Sequence, residues 1–157
     1  MPTFHIVQAV HLAQATLSGY GLVHSLIAIK NLRQWESTSE KAAKVSDVAA
    51  TQLYRTRTTQ GAGLMAILYS LIVSLALATR WASFSEFIQM LASPTVLIAV
   101  LLVRGHVHNF WTNKSKVPMA AGYNAAINST EQLLNILQYL EWSWALTSLI
   151  AGVSKYA

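Results

Sequence analysis

The chain lacks cysteine and is poor in charged residues. Without cysteine it has no disulfide, no thiolate metal site and no cysteine nucleophile. Only 11% of its 157 residues are charged, whereas a soluble domain usually contains about 25%. The first Lys, Arg, Asp or Glu along the chain is Lys30. This scarcity of charge is typical of a protein whose solvent is lipid.

Long uncharged runs take the place of the missing charges. Leu64–Thr79 and Phe87–Val103 contain no charged residue, and Gln132–Ser154 contains a single acid, Glu141. About 20 mostly apolar helical residues are needed to cross a hydrocarbon core. We therefore predict an all-α integral membrane four-helix bundle that occupies 1–157 as a single domain. The predicted helices span about 5–30, 58–80, 88–111 and 129–153. Within the charged loop one, 31–54, an Ala-rich stretch that begins at Ser46-Asp47 is expected to form an interfacial helix running into helix two.

The net charge of +5 raises the question of nucleic-acid binding. We exclude it, because the basic residues flank hydrophobic runs and form no continuous soluble face; the expected partner is the lipid bilayer. Since cytoplasmic loops are rich in Lys and Arg, the basic loops one and three are predicted to be cytoplasmic in a multi-pass protein, with the endoplasmic reticulum as one candidate membrane. The cations in or beside these two loops are Lys30, Arg33, Lys41, Lys44, Arg55, Arg57, Lys114 and Lys116.

Two of the predicted helices carry polar stripes with three-to-four spacing, which places the members of each stripe on one face. Polar side chains in hydrocarbon are costly unless they are partnered. We therefore expect the stripe of helix four to face the bundle interior. For helix one, close helix packing and the lining of a cavity are equally open. The stripes are His11, Gln14, Ser18, Gly21 and Ser25 on helix one, and Asn128, Glu131, Asn135, Gln138 and Trp142 on helix four.

Further polar residues converge on the predicted cytoplasmic end of the bundle. Arg57 and Gln60 open helix two, His24 lies near the end of helix one, and Arg104 and His108 lie near the end of helix three. This pattern favours a cytoplasm-facing cavity that binds an anionic or phenolic molecule and moves protons. The alternative is that the basic side chains snorkel to the membrane surface and contact headgroups. The residues expected to bind a substrate are Arg57, Arg104, Asn135, Gln138 and Trp142.

Glu141 lies near the middle of predicted helix four. An ionised carboxylate at that depth costs at least about 2.5 kcal/mol, so we expect Glu141 to be protonated or paired, for example with His11 of helix one. A buried acid can act as a general acid or base, which makes Glu141 a candidate catalytic residue. The alternative is that helix four begins later and that Glu141 is less deep.

The sequence offers no strong metal-binding or cofactor-binding motif. His106 and His108 are two residues apart, so on a helix their side chains point about 200° from each other and chelate poorly. No Glu-x-x-His pair is present for a di-iron site, and no Walker or dinucleotide-binding motif occurs. We therefore expect no metal and no resident cofactor.

Three short stretches carry a family resemblance. The chain reads LSGYG at 17–21, QLYR at 52–55 and WALTSLIAG at 144–152. These stretches and the four-helix layout resemble the anthrone oxygenase-like family of small membrane proteins from fungal polyketide pathways. That family usually carries a Trp-x-x-Leu-Asn-x-x-Arg pattern before such a tail, and its Asn and Arg are absent here.

The resemblance implies a monooxygenase of secondary-metabolite biosynthesis that converts a hydrophobic phenolic anthrone to an anthraquinone. Molecular oxygen would be the co-substrate, and no metal or flavin would be required. A base would generate a phenolate or carbanion that reacts with oxygen, and polar groups would hold the developing oxyanion. In that reaction His24, His108 and Glu131 would be the candidate bases, and Arg104 and Asn135 would hold the oxyanion.

Other interpretations of the sequence stay open. Tyr54-Arg55-Thr56-Arg57 and Arg104 resemble arginines of the microsomal glutathione transferase-like group, although Thr59–Ala62 stands where that group has Asn and Glu. A non-catalytic subunit of a larger membrane complex would use the polar stripes as packing surfaces. Because four helices enclose little cavity, a homo-oligomer with its site between protomers is a further alternative.

Overall fold

Four helices make up nearly all of the structure. The computed structural model describes residues 2–80, 83–114 and 121–154, so that Lys116 of loop three lies outside the described residues. The helices are α1 Pro2–Ala43, α2 Asp47–Arg80, α3 Glu86–Trp111 and α4 Ala121–Ser154. The described residues are 94% helical and contain no strand. The prediction of an all-α fold with four helices is therefore confirmed.

The first two helices are longer than the sequence analysis predicted. Helix one was expected to end near residue 30 and helix two to begin near 58, but α1 continues to Ala43 and α2 begins at Asp47. The expected loop is wrong over 31–43, which continue α1, whereas the expected interfacial helix from Ser46-Asp47 into helix two is confirmed, because α2 begins at Asp47. No glycine or proline interrupts the chain from Leu22 to Gln60, and the Ser46 hydroxyl caps α2 by accepting the backbone N–H of Ala49 at 3.3 Å.

The last two helices lie close to their predicted positions. α3 begins at Glu86, where Ser85 is the N-cap and its hydroxyl accepts the backbone N–H of Ile88 at 3.4 Å. It ends at Trp111, as predicted. α4 begins at Ala121, about two turns before the predicted residue 129, and ends at Ser154.

The helices pack as an up-down-up-down bundle in which α1 contacts α2 and α4, and α3 contacts α2 and α4. The core of the bundle is a hydrophobic cluster in which the Trp144 indole N–H donates to the Ser70 hydroxyl at 3.0 Å. This bond satisfies the only polar atom of a fully buried tryptophan side chain. The central side chains are Ile67, Leu77, Val96, Val100, Leu133, Leu137, Leu140 and Trp144.

Three of the described helices, α1, α2 and α3, are long and apolar enough to cross a membrane. α4 is not among these candidate spans, although its 34 residues equal the length of α2. Asn135, Gln138 and Glu141 interrupt its apolar residues and lower its hydropathy. The four-helix architecture is thus accompanied by three strongly apolar helices and one that is more polar.

The polar stripe of helix one lies inside the bundle. His11, Gln14, Ser18 and Ser25 are buried, and the Ser18 and Ser70 hydroxyls are 2.9 Å apart. At Gly21 an added Cβ would lie 2.8 Å from Ile67 Cδ1. The inward orientation of this stripe is therefore confirmed, and the close approach at Gly21 favours helix packing over the lining of a cavity.

Candidate functional site

A pocket opens at the end of the bundle that carries the α1–α2 turn and the last turn of α3, which we call the hairpin end. It is a pocket of about 590 Å³ between α1 and α2, bounded on the remaining side by Lys114 and Tyr123. This volume lies in the range of about 300–1,000 Å³ that is usual for small-molecule sites. Its lining includes the charged, amide and aromatic side chains of Arg33, Trp35, Glu36, Gln52, Arg57, Gln60, Lys114 and Tyr123.

The start of α4 is positioned at the pocket by a close contact with α1. A Cβ added to Gly122 would lie 3.2 Å from the backbone carbonyl oxygen of Asn31 and 2.9 Å from Trp35 Nε1. A residue without a side chain at 122 therefore lets α4 approach α1 here. The next residue, Tyr123, lines the pocket with its ring centroid 6.4 Å from that of Trp111. Burial raises the pKa of the Tyr123 phenol, which keeps its hydroxyl protonated.

A buried polar layer forms the base of the pocket and connects α2 to α3 and α4. The Trp111 indole N–H donates to the Thr59 hydroxyl at 2.9 Å. The Gln60 amide donates to the Thr130 hydroxyl at 2.9 Å. Thr130 in turn donates its proton to the Ala126 carbonyl at 2.7 Å, so it can only accept from Gln60.

This arrangement fixes the orientation of the Gln60 amide. Because the Thr130 hydroxyl accepts, Gln60 must present its NH₂ group to Thr130 and its oxygen elsewhere. Gln60 Oε1 is buried and has no hydrogen-bond partner among the described residues. A buried acceptor without a partner costs about 1–3 kcal/mol. Gln60 is one of the residues that line the pocket, but its Oε1 is itself covered, so a ligand hydroxyl reaches this acceptor only when the side chain turns toward the pocket.

The charges of the pocket are unevenly neutralised. Arg57 Nη2 binds both Glu36 and Glu40, the latter at 2.6 Å, so its charge is satisfied within the protein. Arg33 forms no ion pair with another described residue. Lys114 Nζ donates to Gln52 Oε1 at 2.6 Å without meeting a carboxylate.

Lys114 is the more unusual of the two free cations. Its ammonium lies 4.3 Å from the centroid of the Phe110 ring. Burial, and secondarily the charge of Arg55, lower the pKa of Lys114 below its ordinary value. A lysine with a lowered pKa supplies a neutral amine more readily and can serve as a general base, whereas its protonated form holds an anion.

Most of the side chains that sequence reasoning selected lie away from this pocket. Of the residues predicted to bind a substrate or to act in catalysis, Arg57 alone belongs to the described lining. His24 is half-buried on α1, its ring is 4.6 Å from that of Tyr20, and its Nδ1 has no partner among the described residues. The other selected residues meet along the outward side of α3 and α4. We call this set the outer seam; it comprises Arg104, His108, Glu131, Asn135, Gln138, Glu141 and Trp142.

The expectation that the helix-four stripe faces the bundle interior is wrong. Asn128, Glu131, Asn135 and Gln138 are exposed, and Trp142 has 68% of its surface exposed. The opposite face of α4 supplies Leu133, Leu137, Leu140 and Trp144 to the core. These larger apolar side chains fill the interior better than the amides do, and the polar face is left outside.

The partner of Glu141 also differs from the one expected. Arg104 Nε donates to Glu141 Oε2 at 2.6 Å, and the side chains are 31% and 19% exposed. His11, the partner suggested by the sequence, instead has its Nδ1 2.7 Å from Gln14 Oε1 and its ring 5.7 Å from that of Trp144. Glu141 was expected to be either protonated or paired. It is paired, but with Arg104 of α3 and not with His11 of α1.

Known proteins do not extend this description. No family model, no curated protein and no solved structure matches the chain. Neither family resemblance of the sequence is tested by these comparisons. Within the described residues, no group of three or more His, Cys, Asp or Glu side chains is placed to hold a metal ion.

Sequence reasoning missed most of the pocket because it assigned the relevant segment to a loop. Arg33, Trp35, Glu36 and Gln52 all lie between 31 and 54. A signal was present, since Ile29, Leu32, Trp35, Ser39 and Ala42 continue the three-to-four spacing of α1 and all line the pocket. Tyr123 gave no comparable signal, because its position depends on the contact of Gly122 with α1.

Proposed function

We propose that this protein is a four-span membrane protein whose hairpin-end pocket binds a hydrophobic aromatic molecule with an anionic or phenolic group. The hairpin end faces the cytoplasm in this proposal, because the cations of the chain concentrate there and cytoplasmic segments are rich in Lys and Arg. α4 is the fourth span, and its polar groups are tolerated because the Arg104–Glu141 pair satisfies the charge of Glu141.

The observation that carries the ligand class is the combination of Gln60 Oε1 with two unneutralised cations in one pocket. A phenol O–H can donate to Gln60 Oε1, which has no described partner. Arg33 and Lys114 attract a phenolate or another anion. Trp35 and Tyr123 supply aromatic surface for the body of the ligand.

The narrower proposal is that the bound molecule is oxygenated, as the family resemblance implies. In such a reaction a methylene carbon loses two hydrogens and gains one atom of O₂, and the second oxygen atom leaves as water. Molecular oxygen is the co-substrate, and the substrate supplies all four electrons. Lys114 is the base that the pocket offers for removing the first proton, since its lowered pKa favours the neutral amine.

The binding proposal is tested with the protein in lipid nanodiscs and 1,8-dihydroxyanthrone as the probe. Binding is followed by quenching of tryptophan fluorescence, because Trp35 lines the pocket. We expect saturable binding that weakens about tenfold or more in Gln60→Leu and in Lys114→Gln. Lys44→Gln is the matched control, because Lys44 is exposed at the α1–α2 turn and does not line the pocket.

Two comparisons separate binding from chemistry. Anthracene has the same ring body without hydroxyl groups and is expected to bind more weakly than the probe; equal binding of the two would contradict the role of Gln60 Oε1. Oxygen uptake with the same probe tests the reaction. Saturable binding with no uptake above that of protein-free nanodiscs would leave a binding protein and overturn the oxygenase proposal.

A further inference from the structure

The outer seam places polar and charged side chains, which are costly to expose to hydrocarbon, on a surface that no described residue covers. Asn135 and Gln138 are exposed, and the Arg104–Glu141 pair keeps 31% and 19% of its side-chain surface accessible. If α3 and α4 cross a bilayer, as proposed above, these groups face hydrocarbon in the isolated chain. Polar and charged groups in membrane helices almost always face protein or a water-filled cavity, so a further surface must cover the seam.

We infer that the outer seam is covered by the same seam of a second copy of this chain, in a parallel two-fold dimer. The inference rests on the proposed membrane insertion, which requires the two-fold axis to lie along the bilayer normal. A two-fold interface brings one patch against itself, so the patch must be self-complementary. The distribution of charge and hydrogen-bonding groups along the seam meets that requirement.

The charges of the seam are separated by helix. α3 contributes the basic groups Arg104 and His108, and α4 contributes the acids Glu131 and Glu141. Rotation by 180° about the bilayer normal sets α3 of one copy against α4 of the other. Arg104 of each copy then faces Glu141 of the other, and this pairing occurs twice in the interface, which is the arrangement of an isologous electrostatic fit.

The depths of the paired groups agree as well. α3 and α4 are antiparallel, and the Arg104–Glu141 bond of 2.6 Å places these residues at one depth. A parallel two-fold axis preserves depth, so Arg104 meets the partner's Glu141 at the level of its own. One turn closer to the hairpin end, His108 and Gln138 are level with each other. His108 therefore meets the partner's Gln138.

The remaining features of the surface permit close approach. The amides of Asn135 and Gln138 each carry donors and an acceptor, so that either can satisfy a polar group of the facing helix α3. Gly105 is exposed on α3 beside Arg104, and a Cβ added there would meet nothing within 4 Å. Small residues at membrane helix surfaces let neighbouring backbones approach.

The absence of cysteine makes a direct test possible, because a single introduced cysteine finds no second cysteine within its own chain. Gln138→Cys lies on the seam, and Leu26→Cys lies on an exposed part of α1 with 51% exposure. Because position 138 faces α3 of the partner and not the partner's position 138, a bifunctional thiol cross-linker that spans the interface is used in native membranes; it should convert Gln138→Cys to a species of twice the monomer mass and leave Leu26→Cys monomeric. Flotation of the same membranes in a density gradient reports insertion separately.

A second pair of variants tests whether the dimer contact requires a small residue on the seam. Gly105→Leu adds bulk to the seam, and Gly19→Leu adds the same bulk to α1; an added Cβ meets nothing within 4 Å at either site, so both variants should fold. In the Gln138→Cys background, Gly105→Leu should lower dimer formation at least fivefold, and Gly19→Leu should leave it unchanged.

Each outcome of these tests decides the inference. Equal cross-linking at 138 and 26, an adduct of Gln138→Cys with a different protein, or no effect of Gly105→Leu would overturn the dimer. A chain that fails to float with the membranes would overturn the proposed insertion instead. A chain that floats but does not cross-link at 138 would refute the dimer and leave the membrane proposal intact.

Discussion

The Arg104–Glu141 ion pair should be strongly coupled in the stability of the bundle. Its N–O distance is 2.6 Å, and its side chains are 31% and 19% exposed. Two unit charges about 4 Å apart attract by about 4 kcal/mol at an effective dielectric constant of 20. Removing one member of a buried pair costs about 3–5 kcal/mol, because the other charge is left uncompensated, and the partial exposure here lowers that figure.

We therefore expect Arg104→Gln and Glu141→Gln each to lower the free energy of unfolding by about 2–4 kcal/mol. The double variant should cost less than the sum of the two, with a coupling of about 2–3 kcal/mol, because it leaves no unpaired charge behind. The free energies are measured by SDS titration of the protein in mild detergent, with helicity followed by circular dichroism. Additive effects of the two substitutions would refute the assignment of a coupled pair.

The Arg57–Glu40 pair provides the matched control for this cycle. Its side chains are 49% and 53% exposed, so water and salt screen the interaction and mobile side chains weaken it further. The same double-substitution cycle on Arg57 and Glu40 should give a coupling close to the error of the measurement. Equal coupling in the two pairs would contradict the argument that partial burial strengthens the Arg104–Glu141 bond.

Further predictions concern groups inside the bundle, and all are measured by the same unfolding titration. Gly21→Leu should destabilise the bundle by about 2 kcal/mol or more through overpacking, since an added Cβ already lies 2.8 Å from Ile67, whereas Gly19→Leu should not destabilise it. Thr59→Val should cost about 1–3 kcal/mol, because it leaves the Trp111 indole N–H unpaired. Ser25→Ala should be neutral or stabilising, because Ser25 Oγ is buried and has no described partner; a loss of stability would instead indicate that this hydroxyl is hydrated.

The number and class of the helices could be predicted from the sequence, because long uncharged runs have few other uses. The end of α1 was missed for a specific reason. Hydrophobicity marks only the part of a helix that lies in the membrane. The helix itself continues until a residue such as glycine or proline stops it. The charged segment of 31–54 has no glycine and no proline, so nothing stops the helices before 44–46.

The orientation of α4 could not be predicted from polarity alone. The reasoning assumed that polar residues must face inward because lipid excludes them. However, lipid and protein interiors are equally apolar, so hydrophobicity does not favour one face of such a helix. Packing decides, and Leu133, Leu137 and Leu140 with Trp144 form the better-filled core.

The candidate site was predicted in location more than in composition. A polar cavity at the end where cations accumulate was expected, and a pocket is present there, with Arg57 in its lining. Lys114 and Tyr123 enter the pocket from parts of the chain far from α1 and α2 in sequence. Such long-range contacts depend on how the helices pack, which a single sequence does not reveal.

The length of α1 determines whether the pocket lies in hydrocarbon or in the headgroup region. Its 42 residues extend over about 63 Å, roughly twice the thickness of a hydrocarbon core. The pocket is lined by residues 29–61 of the α1–α2 hairpin, so the proposed insertion places it among headgroups and water. Ions screen charges there over about 8 Å at physiological salt. Ligand capture should therefore respond to ionic strength and to the charge of the surrounding lipids, while the Arg104–Glu141 pair, which the same insertion places deeper, should be insensitive to both.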